Sequence, residues 1–429
     1  MSRKKQYTIE GLEIIDAGSE GKAVGKHEGL TVFVPFAVPG DVVDVRVYKQ
    51  RKSYAEADLL NIVKPSPDRI TAVCQHFGLC GGCKWQVMSY AKQLEYKQKQ
   101  VLDNFTRLGK FDFPDIKPIV PSDHEYYYRN KLEFTFTDRR WLDAKDMELQ
   151  QTGTIETHGL GFHIPGKFDK ILDIQHCYLQ ANPSNAIRLA IRNYSINQNL
   201  TFYNVRSHEG LLRNLVIRSS TAGELMVIVI FGEPSEEIFP LLDFVAEQFP
   251  QITSLQYVIN AKLNDTITDQ EILLHKGNSF IQEEMEGLTF KIGPVSFYQT
   301  NSEQAYKLYQ VARDFARITK NDLVYDLYTG TGTIANFVAK QAKKVVGIEY
   351  VEAAIEDAWI NSRNNLIDNT VFYAGDMAKV LTSEFVVENG HPDIVITDPP
   401  RAGMHPKVIE QLLMVKPQRI VYVSCNPAS

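Results

Sequence analysis

The feature that most constrains the fold is the alternation of short apolar runs and helix-like segments in the last third of the chain. A helix is predicted at 302–318, and strand-like runs then occupy 323–327, 345–349, 394–398 and 419–424. Short strands that alternate with helices are typical of a parallel doubly wound sheet, in which ligands bind beyond the carboxyl ends of the strands. The polar residues at or just beyond the ends of these runs are Asp326, Glu349, Asp398 and Cys425.

The rest of the 429-residue chain divides into two further regions. Residues 7 to about 64 hold short runs rich in Val, Ile and Thr between glycines and prolines, which predicts a small β-barrel. Two prolines within 65–67 indicate a linker. Residues 68–300 mix strand-like runs with a helix-like stretch, which favours a compact α+β region. The predicted domains are therefore 1–66, 67–300 and 301–429.

The composition indicates a globular protein. Hydrophobic residues make up 44% of the chain and charged residues 23%, which are ordinary globular values. No run approaches the roughly 18 apolar residues that span a bilayer, and the basic start of the chain lacks the apolar stretch of a secretory signal. We therefore expect a cytoplasmic protein with no membrane partner. Its five cysteines are then expected to be thiols, metal ligands or nucleophiles rather than disulfides.

The formal net charge of −6 argues against a protein that coats nucleic acid through bulk charge. A negative net charge does not exclude local basic patches, because affinity for phosphates depends on where the cations lie. Segment 84–110 carries six Lys and Arg residues against two carboxylates, with four aromatic residues interleaved. Both a nucleic-acid contact and a solvated helix face fit this segment.

A glycine-rich turn follows the first strand of the C-terminal region. The sequence from Asp326 to Gly332 places Gly330 and Gly332 between a strand and a helix, where glycines permit a tight turn close to a ligand. Glu349 ends the next strand, at a position where a carboxylate can hold both hydroxyls of a ribose. The same residues match the dinucleotide fingerprint, so a nicotinamide enzyme and a purely structural turn both remain open.

A second motif narrows the choice of ligand. Asp398-Pro399-Pro400-Arg401 lies at a strand end, in the position where many nucleoside and base methyltransferases hold their acceptor. Two prolines make a rigid, solvent-facing corner that fixes the aspartate, although a plain loop corner is the simpler alternative. The glycine turn and this corner together favour S-adenosylmethionine as the ligand.

Cys425 follows the last strand and is expected to border the same pocket. A cysteine at a strand end is often only a small buried hydrophobe. Here its position suits methylation of uracil at carbon 5, a poor nucleophile until a thiolate adds to carbon 6 and creates an enolate. Carbon 5 then attacks the methyl group, a base removes the carbon-5 proton, and elimination frees the cysteine. This chemistry predicts surroundings that lower the pKa of Cys425.

Three cysteines lie close together near the start of the central region. Cys74, Cys80 and Cys83 are interspersed with glycines that allow the chain to wrap around a metal, and Cys177 supplies a possible fourth thiolate. Four cysteines suit either zinc or an iron–sulfur cluster, and their spacing also permits a site without metal.

These motifs together resemble the RNA (uracil-5-)-methyltransferase family, especially the cluster-containing branch that acts on large-subunit ribosomal RNA. The resemblance extends over essentially the whole chain. It implies that the N-terminal barrel is a TRAM domain, an RNA-binding module of the oligonucleotide-binding type. It also implies a C-terminal S-adenosylmethionine-dependent methyltransferase domain of class I. At the four cysteines it implies a [4Fe-4S] cluster rather than zinc.

The resemblance also implies roles for single residues. Segment 296–301 is similar to the family segment whose glutamine lies at the methyl-donor site, which makes Gln299 a cofactor-binding residue. Cys425 is the implied nucleophile, and Asp376 is a candidate for the adenine end of the cofactor. Segment 128–131 is expected to contact RNA. The other residues expected to border the cofactor or the target base are Tyr328, Gly330, Gly332, Glu349 and Asp398.

One departure from the family pattern concerns the end of the chain. Family members continue past the nucleophile, and a glutamate near their C terminus removes the carbon-5 proton. This sequence ends four residues after Cys425, so we expect it to be shortened and to lack the closing strands of the sheet. No residue is therefore assigned as the base.

The expected partner is RNA, and a monomer is expected. Ribosomal RNA is favoured, and a transfer-RNA uridine in the T-loop is the alternative. Because extruding a base costs a few kcal/mol and least at loops, a loop or junction uridine is expected. Three other functions remain to be distinguished: a non-catalytic RNA-binding protein, methyl transfer to an exocyclic amine without a covalent intermediate, and, more distantly, a nicotinamide oxidoreductase.

Overall fold

A computed structural model of the protein describes residues 6–153 and 155–428. Contacts divide the chain into two units. The first contains the chain up to Glu125 together with Thr137–Tyr178, and the second consists chiefly of Tyr126–Phe136 and Leu179–Pro427. The domain boundaries after residues 66 and 300 stay a prediction. Within the described residues, no helix is long and apolar enough to cross a bilayer.

The described residues form strands and helices throughout. The strands are β1 (Tyr7–Ala17), β2 (Lys22–His27), β3 (Leu30–Pro35), β4 (Val42–Gln50), β5 (Tyr54–Lys64), β6 (Lys131–Thr137), β7 (Gly159–Ile164), β8 (Lys167–Asp173), β9 (Leu212–Ser219), β10 (Leu225–Phe231), β11 (Ser254–Ile259), β12 (Ile272–Gly277), β13 (Ile281–Met285), β14 (Leu288–Ile292), β15 (Leu323–Leu327), β16 (Lys344–Glu349), β17 (Thr370–Ala374), β18 (Ile394–Thr397) and β19 (Arg419–Tyr422). The helices are α1 (Tyr90–Asn104), α2 (Ala144–Thr152), α3 (Ser184–Asn197), α4 (Ile238–Gln248), α5 (Ser302–Ala316), α6 (Thr333–Ala339), α7 (Glu352–Asn364), α8 (Met377–Val380), α9 (Ser383–Asn389) and α10 (Pro406–Val415).

The first unit begins with a closed barrel in which the strands follow the order β1-β2-β3-β5-β4. Its strands alternate between core and surface, as in β3, where Val32 and Val34 are fully buried and Phe33 between them is not. This period of two is what a pleated strand with one apolar face requires. The predicted N-terminal β-barrel is confirmed.

Helix α1 belongs to the basic segment 84–110, and much of its charge is compensated. Lys92 forms an ion pair with Glu95, and Lys99 forms ion pairs with both Asp16 and Asp103. No residue of α1 is fully buried. Some cations of the segment are therefore engaged in ion pairs and only partly available to a phosphate backbone.

A mixed sheet in the second unit carries the elements that lead to the functional site. Its strands follow the order β12-β11-β10-β9-β6. All residues of β9 except Ser219, and all residues of β10, are buried. A strand covered on both faces reads as a continuous apolar run, which is why β10 is apolar from end to end. The predicted α+β character of this region agrees with the arrangement.

The C-terminal part of the second unit is a five-stranded sheet with the order β17-β16-β15-β18-β19. Every neighbouring pair in it is parallel. Counted along the chain, the order is 3-2-1-4-5, so the connections change direction between β15 and β18. In doubly wound sheets this switch point opens a crevice at the carboxyl ends of the strands. The predicted parallel doubly wound sheet is confirmed.

Candidate active site

The carboxyl edge of the five-stranded sheet gathers the acidic residues that the sequence indicated. Asp326 lies in β15, Glu349 ends β16, and Asp376 follows β17 as the N-cap of α8. Asp398 follows β18, and its backbone N–H donates to the carbonyl oxygen of Leu327 across 3.3 Å. The parallel register therefore places four carboxyl groups along one edge, at the position where this fold binds ligands.

The turn after β15 depends on three residues in the left-handed region of backbone conformation. These are Tyr328, Gly330 and Gly332, with φ angles of +63°, +56° and +74°. A β-carbon on Gly332 would come within 2.9 Å of the β-carbon of Ala358, so this position also requires glycine for space. A β-carbon on Gly330 would meet nothing within 4 Å, so that position faces open space.

The Glu349 carboxylate faces this turn. Its Oε2 accepts a hydrogen bond from the N–H of Gly330 across 3.2 Å, and its Oε1 accepts one from Val351 across 3.0 Å. Each carboxylate oxygen has two lone pairs, so both oxygens retain acceptor capacity. Two acceptors held rigidly beside a glycine turn suit the two hydroxyls of a ribose.

The Asp326 side chain is completely buried. Burial raises its pKa to about 7, the negative charge of Asp398 adds to the shift, and a 2.5 Å hydrogen bond from the Thr329 hydroxyl opposes it. The folded protein thus favours the protonated acid up to nearly neutral pH.

The raised pKa of Asp326 makes stability depend on pH. Because the folded pKa lies above the usual value of about 4, ionisation destabilises the fold increasingly as pH rises through 4 to 7. Asp326→Asn is therefore expected to stabilise the protein by up to about 4 kcal/mol at pH 8, with a gain that shrinks steadily toward pH 4. Urea unfolding midpoints at several pH values measure this. The exposed Asp314→Asn serves as the control, and a pH-independent gain for Asp326→Asn would contradict the assignment.

Gln299 joins the Asp398 carboxylate to a buried tyrosine. Its Nε2 donates to Asp398 Oδ2 across 3.5 Å, and its side chain is also hydrogen-bonded to Tyr309. Burial raises the pKa of Asp398 to about 6 and raises that of Tyr309 as well. Sequence reasoning identified Gln299 and Asp398 but missed Tyr309. A signal was present, because the buried positions Ala305, Tyr309 and Ala312 follow the helical spacing of α5.

Cys425 follows β19 at the same edge of the sheet and is exposed. The strand end is held in register by the Val423 N–H, which donates to the Thr397 carbonyl oxygen across 2.9 Å. The expected solvent-facing proline corner is only half exposed, because Pro399 packs into the interior while Pro400 faces solvent. The sequence pattern did not distinguish the two prolines, since both have the same local preferences.

Tyr328 connects several of these strand ends. Burial raises its pKa, and the nearby side chains of Tyr422, Asp376 and Glu349 add to the shift. The Asp376 carboxylate also caps α8 by accepting from the N–H of Ala378 across 3.1 Å. The ends of β15, β16, β17 and β19 therefore lie around one space.

The four cysteines of the first unit are neighbours. Burial raises the pKa of the Cys80 thiol to about 11, the charges of Cys83, Cys177 and Cys74 add to the shift, and the N–H of Gly82 opposes it. Four thiols suit a four-thiolate group chemically. Within residues 6–153 and 155–428, however, no three His, Cys, Asp or Glu side chains are arranged to hold a metal ion. The structure thus does not show the predicted [4Fe-4S] site.

The barrel presents cations and aromatic rings at one end. Strands β3 and β5 run parallel with Thr31 opposite Tyr54, so the two hairpin turns that precede these strands lie side by side. The turn before β5 carries Arg51 and Lys52, and Lys26 lies near the end of β2; all three are exposed, and next to them the rings of Phe33 and Tyr54 meet edge to face. Exposed cations beside aromatic rings suit a nucleic-acid backbone and its bases.

Comparison with known proteins agrees with this architecture. The TRAM domain family matches residues 8–60, and the tRNA (Uracil-5-)-methyltransferase family matches residues 251–429. An uncharacterized RNA methyltransferase of Bacteroides thetaiotaomicron is 55% identical over 96% of this chain and 91% of its own length. One from Chlorobaculum tepidum is 39% identical over 99% of this chain and 89% of its own length.

A solved structure is similar over nearly the whole chain. It is the Pyrococcus abyssi tRNA (uracil-54, C5)-methyltransferase in complex with S-adenosyl-L-homocysteine. The TM-score is 0.73 at 27% identity, over 97% of this chain and 90% of that one. Together with the glycine turn on a parallel sheet, these findings define an S-adenosylmethionine-dependent RNA methyltransferase. The chain belongs to the RNA (uracil-5-)-methyltransferase family. The nicotinamide and non-catalytic alternatives are therefore wrong, and the resemblance to this family is confirmed. The cluster-containing ribosomal RNA branch stays a prediction.

Proposed function

We propose that the protein methylates carbon 5 of one uridine in RNA through a transient bond between the Cys425 sulfur and uracil carbon 6. The observation that carries this proposal is the position of an exposed cysteine at the edge of the sheet that also bears Asp398 and the glycine turn. A thiol there can reach a base that enters from solvent, and the family of the chain supplies the reaction class.

The residues at the carboxyl edge of the five-stranded sheet are proposed to have different roles in the reaction. The Cys425 thiolate adds to uracil carbon 6, and the electron pair of the double bond moves to form an enolate with carbon 5 as the nucleophile. S-adenosylmethionine supplies an electrophilic methyl group when it is bound. Loss of the carbon-5 proton then expels the thiolate and restores the double bond. Gln299 and Asp398, which are hydrogen-bonded to each other, are proposed to border the donor or the uracil, and no residue is assigned as the base.

Cofactor binding is proposed for the residues around the glycine turn. Glu349 is proposed to accept hydrogen bonds from the ribose hydroxyls, because its two oxygens already face the turn. Gly330 is proposed to pass close to the cofactor, because the space beside it is open. Tyr328, Gly332 and Asp376 complete the proposed surface, with Asp376 toward the adenine.

The proposed target is a uridine of large-subunit ribosomal RNA. This choice rests on the resemblance to the cluster-containing branch. The tRNA T-loop is the second candidate, favoured by the Pyrococcus abyssi neighbour, whose name specifies uracil 54 of tRNA. The basic end of the barrel and its two aromatic rings support binding of either RNA.

Analysis of the methylated nucleosides tests this proposal. Ribosomal RNA and tRNA transcripts are incubated separately with S-adenosylmethionine labelled in its methyl group, and the RNA is digested to nucleosides. We expect label in 5-methyluridine from ribosomal RNA. Label in 5-methyluridine from tRNA alone would select the T-loop candidate. Label on the exocyclic amine of a base would contradict the carbon-5 chemistry.

We also propose that Cys74, Cys80, Cys83 and Cys177 bind a [4Fe-4S] cluster. The support is chemical, since four neighbouring cysteines provide the complete ligand set of such a cluster. A buried thiol with a raised pKa is protonated without metal, so loading would release protons and depend on pH. A role in structure or in RNA contact suits the cluster better than electron transfer, because methyl transfer involves no net change of oxidation state.

Replacing Cys80 by serine is expected to remove the cluster. Loss of one thiolate from a four-thiolate site should eliminate the visible absorbance and most of the bound iron in anaerobically purified protein. Cys425→Ser is the matched control and should retain both. Zinc in place of iron in the unaltered protein, or equal iron in Cys80→Ser, would contradict the proposed cluster.

A further inference from the structure

Asn130 holds the segment that carries Gln299. Its side-chain Nδ2 donates to the carbonyl oxygen of Gln299 across 2.8 Å and to the hydroxyl of Ser302 across 2.8 Å. Its backbone N–H donates to the carbonyl oxygen of Thr300, and its own carbonyl oxygen accepts from the N–H of Ser219 at the end of β9. Both side-chain N–H groups are therefore used: three hydrogen bonds tie the segment to Asn130, and one ties Asn130 to the end of β9.

A buried carboxylate orients the hydroxyl in this arrangement. Ser302 donates its hydroxyl hydrogen to Glu283 Oε2 across 2.8 Å, which leaves the Ser302 oxygen to accept from Asn130. Glu283 is only 1% exposed, and its other oxygen accepts from the backbone N–H and the hydroxyl of Thr221. Within the described residues it forms no ion pair. Burying such a charge is costly, and three hydrogen bonds together with the N-terminus of α5 stabilise it here.

The other side of Gln299 faces the reaction site. Its amide contacts Asp398 and Tyr309, whereas its backbone is fixed by Asn130. A carbonyl oxygen fixed at one end of the residue limits where the amide at the other end can reach. Asn130 itself bonds only to backbone groups and to Ser302 among these contacts, so it has no direct part in the chemistry.

We propose that Asn130 is a positioning residue that fixes where the side-chain amide of Gln299 lies. Ser302 and Glu283 orient Asn130. The inference rests on the proposed place of Gln299 at the methyl-donor site. It gives Asn130 a role different from the RNA contact expected for segment 128–131. Asn130 acts only through Gln299, so its contribution to donor binding disappears when the Gln299 side chain is absent.

A double-mutant cycle on binding of S-adenosylhomocysteine tests this inference. Asn130→Ala and Gln299→Ala are each expected to weaken binding about tenfold, the effect of losing roughly one well-placed hydrogen bond. The double variant is expected to bind as Gln299→Ala does, because Asn130 has nothing left to position. Isothermal titration calorimetry on the full chain gives the three constants.

Three results would overturn the inference, and they separate it from the proposed function. Multiplied effects in the double variant, about a hundredfold in total, would show that Asn130 acts independently of Gln299. Unchanged binding in Asn130→Ala alone would show that Asn130 does not position Gln299. Unchanged binding in Gln299→Ala would refute the proposed donor-site role of Gln299, and with it the positioning role of Asn130.

Two further variants separate positioning from loss of fold. Asn369 also donates two side-chain hydrogen bonds to backbone carbonyls, at 2.8 and 3.1 Å, but lies before β17 at the opposite end of the sheet. Asn369→Ala should lower the thermal unfolding midpoint as Asn130→Ala does while leaving binding unchanged. Asn130→Asp keeps the shape of the side chain but loses both N–H donors, and should weaken binding as much as Asn130→Ala. Normal binding by Asn130→Asp would contradict the positioning role.

Discussion

Replacing Cys425 by alanine is expected to lower the rate of RNA methylation roughly 10⁴-fold or more, because no other group would activate uracil carbon 5. The exposed side chain contributes little to packing, so the variant should fold and bind both S-adenosylhomocysteine and RNA normally. Transfer of labelled methyl groups to RNA under single-turnover conditions measures the rate. Binding of the two ligands to the same preparation is the control.

Cys425→Ser tests whether the reaction requires the thiolate itself. Serine preserves the size of the side chain and its hydrogen-bonding capacity, but its hydroxyl is a far weaker nucleophile than a thiolate. The serine variant should therefore be as inactive as the alanine variant. Activity within tenfold of the unaltered protein in either variant would contradict the covalent role of Cys425.

Replacing Glu349 by alanine is expected to weaken S-adenosylhomocysteine binding about a hundredfold, the combined effect of two hydrogen bonds to a charged acceptor. The carboxylate also holds the N–H groups of Gly330 and Val351, so its loss frees the turn as well. Equilibrium titration measures the dissociation constant. RNA affinity should stay unchanged, because Glu349 is assigned to the cofactor alone.

The matched control for Glu349 lies three residues further along the chain. Glu352 is an exposed glutamate in the first turn of α7, and Glu352→Ala should leave cofactor binding unchanged. Equal effects of the two substitutions would indicate a general electrostatic influence and contradict a specific contact between Glu349 and the ribose.

The sequence predicted the C-terminal sheet well because its signal is local. Four of its five strands, all except β17, were predicted as short apolar runs, and each run ends near a polar residue that parallel pairing brings to one edge, as with Asp326 and Asp398. The barrel was predictable for the same reason, since the period of two is visible within single strands such as β3. Patterns of this kind can be recognised in the sequence without knowing which distant residues are in contact.

Features that depend on distant contacts were not predictable. The bond from Asn130 to Gln299 joins residues 169 positions apart, and no local pattern encodes it. The sequence left open whether the charge of segment 84–110 is available to RNA, and the pairing of Lys99 with Asp16, 83 positions away, could not be seen in it. The left-handed conformation of Tyr328 is also unusual for a residue other than glycine. The ligand set of the cysteines stays a prediction.

Covalent trapping with ribosomal RNA transcribed with 5-fluorouridine tests the central claim most directly. Fluorine cannot leave carbon 5 as a proton does, so the adduct between Cys425 and the methylated base should persist. With S-adenosylmethionine present, we expect a slower-migrating protein–RNA band on a denaturing gel, absent for Cys425→Ser. Sequencing of the trapped RNA would then identify the uridine. Absence of the band with both ribosomal RNA and tRNA, despite confirmed binding of RNA and donor, would contradict carbon-5 methylation through Cys425.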